Sequence, residues 1–163
     1  MITNDDKAQN VQNVEIVAWE SKYETGIPLI DYQHRELISL TNQLYRACLM
    51  GDDALQTAFK EAMGRMVEYV RFHFGAEQKL LEAIHYPDFP NHKKKHDLLV
   101  GNILEAVKEQ KEGKKFVPNN FVRTLRDWVF SHIAIQDKQY SLYVVAQKRK
   151  GLLTDQQINS IKI

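Results

Sequence analysis

The sequence predicts an all-α fold, an antiparallel up-and-down four-helix bundle with an extended N-terminal arm, on three observations. Apolar residues recur at the helical period in four long segments of the 163-residue chain. Seven Gly and four Pro are too few for a turn-dense β protein. The breakers Gly51, Pro87, Gly113 and Gly151 fall between or after those segments, so short connections fold each helix back beside its predecessor. One domain spanning 1–163 is expected, long enough for a full core.

Residues 1–30 carry no helical period, and "EIVAWESKYETGIPLI" mixes β-branched, aromatic, Gly and Pro residues as an extended arm does. Its Trp19, Tyr23, Ile27 and Leu29 are expected to lie against the body of the domain. The bundle, 31–150, opens with a helix over about 31–50, whose stripe holds His34, Leu37, Ile38, Leu44 and Cys48 and which Gly51 terminates. Asp52 or Asp53 caps a second helix with Phe59, Met63, Met66, Val70, His73, Glu77, Leu80, Leu81 and Ile84 inward, until Pro87 forbids continuation. A third begins near Pro90 and carries His92, His96, Leu99, Ile103 and Val107 before Gly113. Pro118 opens the fourth, with Phe121, Leu125, Trp128, His132, Ile133, Asp137, Tyr140 and Val144 inward. The tail, 151–163, adds a short helix capped by Thr154.

Composition narrows the function classes. Lys and Arg number 22 against 21 Asp and Glu, a net charge of +1 that calls for neither nucleic acid nor an anionic membrane surface. The run Lys93, Lys94, Lys95 reads as a solvated helix face. The single cysteine, Cys48, makes no internal disulfide, which fits a reducing compartment. The start "MITNDDKAQN" lacks the basic and apolar regions of a signal peptide, and no apolar stretch approaches the roughly 20 residues of a membrane span. A cytoplasmic protein is expected.

Each inward stripe contains a metal-binding side chain: His34 on the first helix, His73 and Glu77 on the second, His92 and His96 on the third, His132 and Asp137 on the fourth. Residues four apart share a helix face, so His73 with Glu77, and His92 with His96, can each bind through both members. A lone histidine on an apolar stripe is ordinarily a hydrogen-bonded core residue. Seven titratable groups buried together are another matter, because desolvating them without a cation is costly. One ion rarely takes seven such donors, whereas two ions bridged by two carboxylates use them all, so a dinuclear centre is expected. His85 has no partner at helical spacing and reads as a surface or loop histidine. No HExxH, CxxCH or paired ExxH motif occurs, which argues against a zincin, a covalent haem and a ferritin-type di-iron site. The spacing of five between His132 and Asp137 takes them off a common α-helical stripe and predicts a π-type turn or local unwinding.

The segments "TGIPLIDYQHRELI", "HFGAE", "HYPDFPNHKKKH" and "HIAIQD" closely resemble the hemerythrin family, in particular its single-domain bacterial members, over about residues 17–145. The resemblance implies two iron ions in an oxo- or hydroxo-bridged centre. One iron would be held by His92, His96 and His132, the other by His34 and His73, with Glu77 and Asp137 bridging and one position on the second iron open. It further implies dioxygen as partner, other small ligands such as nitric oxide or azide, and a pocket formed by Phe74, Trp128, Val129 and Ile133, none of which readily delivers a proton. Many relatives have Leu where this chain has Val129, which implies a roomier pocket. The second glutamate usual after the HFxxE motif is Gln78, and a frequent methionine is Leu81; neither is a ligand. The expected function is reversible dioxygen binding for storage, delivery or scavenging by a non-enzymatic monomer. A sensor of oxygen or nitric oxide, and an enzyme reducing nitric oxide or peroxide, are the competing readings.

Overall fold

The computed structural model describes residues 11, 13–50, 52–112 and 118–161. Its helices are a short 3-10 turn (Ser21–Tyr23) in the arm, α1 (Pro28–Leu49), α2 (Asp52–Ala83), α3 (Phe89–Lys111), α4 (Pro118–Trp128), a π-helix (Val129–Asp137), α5 (Lys138–Arg149) and α6 (Asp155–Asn159), with no strand among the described residues. The segments α4, π-helix and α5 follow one another without a break and form the fourth rod, so four rods assemble as the sequence predicts. The terminators Gly51 and Gly113 lie outside the described residues, as do residues 1–10 of the arm and the side chains of Asp52 and Asp53.

Differences from expectation lie at the ends of helices. The first helix starts at Pro28, three residues before Asp31, because proline's fixed φ suits the opening turn and its missing N–H is not needed there. Asp31 therefore sits in that turn. Its carboxylate accepts hydrogen bonds from the Thr25 N–H (2.6 Å), the Thr25 hydroxyl (2.7 Å) and the Gly26 N–H (3.1 Å), closing the loop before the helix. One expectation is corrected: Leu29, taken for an inward arm residue, is 42% exposed, since entering the helix here turns it outward between buried Ile27 and Ile30.

The second helix ends at Ala83 rather than running to Pro87, and a backbone motif explains why. His85 has φ +52°, the Tyr86 N–H donates to the Leu81 carbonyl (2.9 Å) and the His85 N–H to that of Glu82 (3.0 Å), which is a Schellman cap. Gly151 makes the same cap after α5, with φ +71°, where the residue type favours it. His85 itself is exposed. Thr154 caps α6 through a reciprocal box with Gln157.

The inward residues form two apolar clusters. The larger joins Leu37, Leu44, Phe59, Met66, Phe74, Leu99, Leu125, Val129 and Ile133 with their neighbours; the smaller joins Ile27, Ile30, Leu80, Leu81, Tyr140, Val144 and Ile158. Burying each large aliphatic side chain contributes about 2 kcal/mol. Cys48, Val107 and Trp128 are only half-buried at the edges. The arm is fastened to α1 by buried Asn42, which accepts from the Ile16 and Val17 N–H groups and donates to the Val17 carbonyl. The Arg35 guanidinium lies 4.2 Å over the Trp19 ring. Lys138 and Ser141 of α5 donate to the carbonyls of Glu24 and Thr25, so the arm ties the first rod to the fourth. No described helix is long and apolar enough to cross a membrane.

Candidate metal centre

Between the two clusters every rod presents polar side chains. His34 follows Ile30 of the small cluster and precedes Leu37 of the large one; His73 and Glu77, and then His132 and Asp137, occupy the same changeover on their rods. The seven predicted donors are all buried, each 2% exposed or less.

The π-helix answers the spacing problem in the fourth rod. Its hydrogen bonds run from i to i+5, so residues five apart face the same way, and His132 and Asp137 meet with Nε2 to Oδ1 at 3.1 Å.

All five imidazoles turn Nε2 toward the carboxylates. Glu77 Oε2 lies 3.2 Å from His92, 3.1 Å from His96 and 3.9 Å from His73. Asp137 spans the centre: Oδ1 lies 3.1 Å from His132 and 3.4 Å from His92, while Oδ2 lies 3.2 Å from His34. Two donor groups result, Glu77 with His92, His96 and His132, and Glu77 with Asp137, His34 and His73, each within 4.8 Å. Counting Asp137 Oδ1 toward the first group as well, the side with three imidazoles is the richer in donors.

Neighbouring groups orient these rings. His34 Nδ1 lies 3.1 Å from the Tyr23 carbonyl, which can only accept, so in neutral His34 Nε2 carries the lone pair. His73 Nδ1 lies 3.0 Å from Gln33 Oε1 in the same relation. In those tautomers Nε2 of His34 and of His73, and both Asp137 oxygens, are buried acceptors without hydrogen-bond partners. Lone pairs facing carboxylate oxygens in an apolar interior require a cation between them. The mixed imidazole and carboxylate donors suit a first-row transition metal.

The electrostatics keep both carboxylates ionised. Burial and the Glu77 carboxylate both oppose ionisation of Asp137, yet the imidazoles of His132 and His34 hold its carboxyl down at about 2. Burial likewise works against charge on Glu77, and His73, His92 and His96 outweigh it, holding the carboxyl well below the usual range. Burial drives His73 down to about 3 and lowers His96 against the pull of Glu77. His34 and His92 move up despite burial, His34 through Asp137 and His92 through Glu77.

The four predicted pocket residues belong to the large cluster or pack against it. Phe74 stacks on His96 (centroids 3.7 Å apart, 2° between planes) and Trp128 on His132 (4.2 Å, 11°), so both brace rings on the three-imidazole side. Val129 and Ile133 are fully buried beside them. Gln78 is half-buried and Leu81 lies in the small cluster.

Sequence reasoning missed four contributors: Gln33, the Tyr23 carbonyl, Tyr69 and the role of Tyr140. The Tyr140 hydroxyl donates to Glu77 Oε1, and the Tyr69 ring stacks on His73 (5.2 Å, 22°). Burial, reinforced by the Glu77 and Asp137 carboxylates, pushes both phenols well above their usual range and keeps them protonated. Their positions did carry a signal, since Tyr69 is four residues before His73 and Tyr140 three after Asp137.

A family model, the hemerythrin HHE cation binding domain, matches residues 25–141. The chain is similar to a bacteriohemerythrin of Methylococcus capsulatus, 28% identical over 126 residues that cover 77% of this chain and 94% of the relative. A bacteriohemerythrin of Pseudomonas aeruginosa is 30% identical over 124 residues, 76% of this chain and 78% of the relative. A crystal structure of wild-type hemerythrin aligns with a TM-score of 0.71 at 27% identity, over 78% of this chain and 96% of the other. Sequence and fold thus agree over the stretch that carries all seven donors, and the chain belongs to the hemerythrin family.

Proposed function

We propose that this protein holds a pair of non-haem iron ions and binds dioxygen reversibly at one of them, for storage, delivery or scavenging rather than turnover. One observation carries the reading: three imidazoles on one side and two on the other share Glu77 and Asp137, so one side offers fewer ligands than the other. Hemerythrins as a family bind dioxygen. A bound iron pair would supply electrons to the gas and recover them on release.

The protein's own part is to hold and to shield. His92, His96 and His132 would surround one ion, and His34 and His73 would hold the other and leave it a free position. Asp137 would join the two through separate oxygens, and the Tyr140 hydroxyl fixes Glu77 by its outer oxygen. The stacked rings of Phe74 and Trp128, with Val129 and Ile133, exclude water and its protons from one face.

Protein loaded anaerobically with ferrous iron is expected to bind a pair of ions per chain. In oxygen it is expected to develop a visible charge-transfer band that bleaches under vacuum. A single ion per chain overturns the dinuclear reading. Rapid irreversible oxidation would favour the second reading, reduction of nitric oxide or peroxide.

A further inference from the structure

Beside the two-imidazole side lies a hydroxyl with nothing to bond. Tyr69 is on α2, one turn before His73, with its ring stacked on that imidazole. The ring edge is half-buried against the large cluster, while the hydroxyl oxygen is shut off from solvent and has no hydrogen-bond partner. Tyr23 also has an unpartnered hydroxyl, but its ring packs in the arm between Trp19 and Phe130. Tyr140, the other tyrosine beside the centre, is committed to Glu77.

An unpartnered buried donor is unfavourable, so an acceptor that arrives with a ligand has something to gain by meeting it. The aromatic cover differs between the two sides of the centre. Phe74 and Trp128, which offer no hydroxyl, cover the imidazoles of His96 and His132; a tyrosine covers His73, on the side with fewer donors.

We propose that Tyr69 is the ligand-recognition residue of the centre: its hydroxyl donates a hydrogen bond to a small ligand with an acceptor atom, of the dioxygen and azide class, held on the His34 and His73 side. This rests on the di-iron reading above. The free hydroxyl favours ligands whose outer atom accepts a hydrogen bond, and it slows their escape.

Azide is the probe, added to the iron-loaded, oxidised full-length protein, with its infrared stretch recorded in H2O and in D2O. In the wild type the stretch is expected to shift on deuteration, because the bonded hydroxyl exchanges. Tyr69→Phe is expected to lose that shift and to bind azide about five-fold more weakly, the weight of one net hydrogen bond. A wild-type stretch insensitive to D2O overturns the proposal however the variant behaves. So does a Tyr69→Phe protein that keeps both the shift and the affinity, or one that loses affinity but keeps the shift, since packing alone would do that. A wild type that takes up no iron pair, or binds no azide at all, overturns the di-iron reading and this inference with it, and metal analysis distinguishes that failure from the others.

Discussion

The two sides of the centre are built from the same materials and arranged differently. On one, three imidazoles from α3 and the π-helix crowd Glu77 and Asp137, and flat aromatic rings stack against two of them. On the other, two imidazoles from α1 and α2 are oriented from behind by a backbone carbonyl and an amide, and a tyrosine covers one of them. The lesson is that two donor groups need not be symmetric to share their carboxylates. On the reading proposed above, the first side would saturate an ion and the second would hold one while leaving room.

The strongest way to break this contrast is to remove what both sides have in common. Asp137→Ala deletes an oxygen from each, and the iron content of purified protein is expected to fall from a pair to well under one per chain, with affinity lower by more than about a hundred-fold. Retention of the pair would show that Asp137 is not shared.

Acid sharpens the contrast in the metal-free protein. His73 is held down to about 3 from an ordinary 6.5. The unfolded chain therefore takes up that proton first, and His73's contribution to stability, complete above 6.5, is lost as pH falls toward 3. His34 and His92, shifted upward, change in the opposite sense and lose their contribution as pH rises. His73→Gln is expected to make the unfolding free energy of metal-free protein less sensitive to acid between those limits, by several kcal/mol, as measured in urea titrations at stepped pH. An unchanged pH slope would show that the imidazole is not held neutral.

A gentler perturbation touches one side alone. Gln33→Ala leaves all seven donors in place but frees the His73 ring, and one of the two ions is expected to bind about 10- to 100-fold more weakly in chelator competition while the other is unaffected. Equal weakening of both would mean that the two sides are not separable.

Much of this site was readable in the order of residues, for a physical reason. Side chains that must be buried on a helix recur with its period, so His34, His73, Glu77, His92 and His96 could be placed on inward stripes without coordinates. The misfit of His132 and Asp137 was itself informative, because only a widened turn brings a spacing of five onto one face. Contacts between rods were not readable. Whether Gln33 meets His73, or Phe74 lies flat on His96, depends on how far each helix is rotated against its neighbour, and one sequence does not encode that separately from the core that sets it. The exposure of Leu29 followed from an early helix start at Pro28, and the end of α2 from a left-handed residue that is histidine, where glycine would have announced the cap.

The arm has a practical consequence. The family model's match begins at residue 25, yet the carbonyl that aligns His34 belongs to Tyr23, two positions upstream. A fragment trimmed to the matched stretch would keep all seven candidate donors and lose the group that aims one of them. Cutting where resemblance fades would thus blunt the centre from outside it, and expression boundaries are better drawn before Ile16, where the chain first fastens to Asn42.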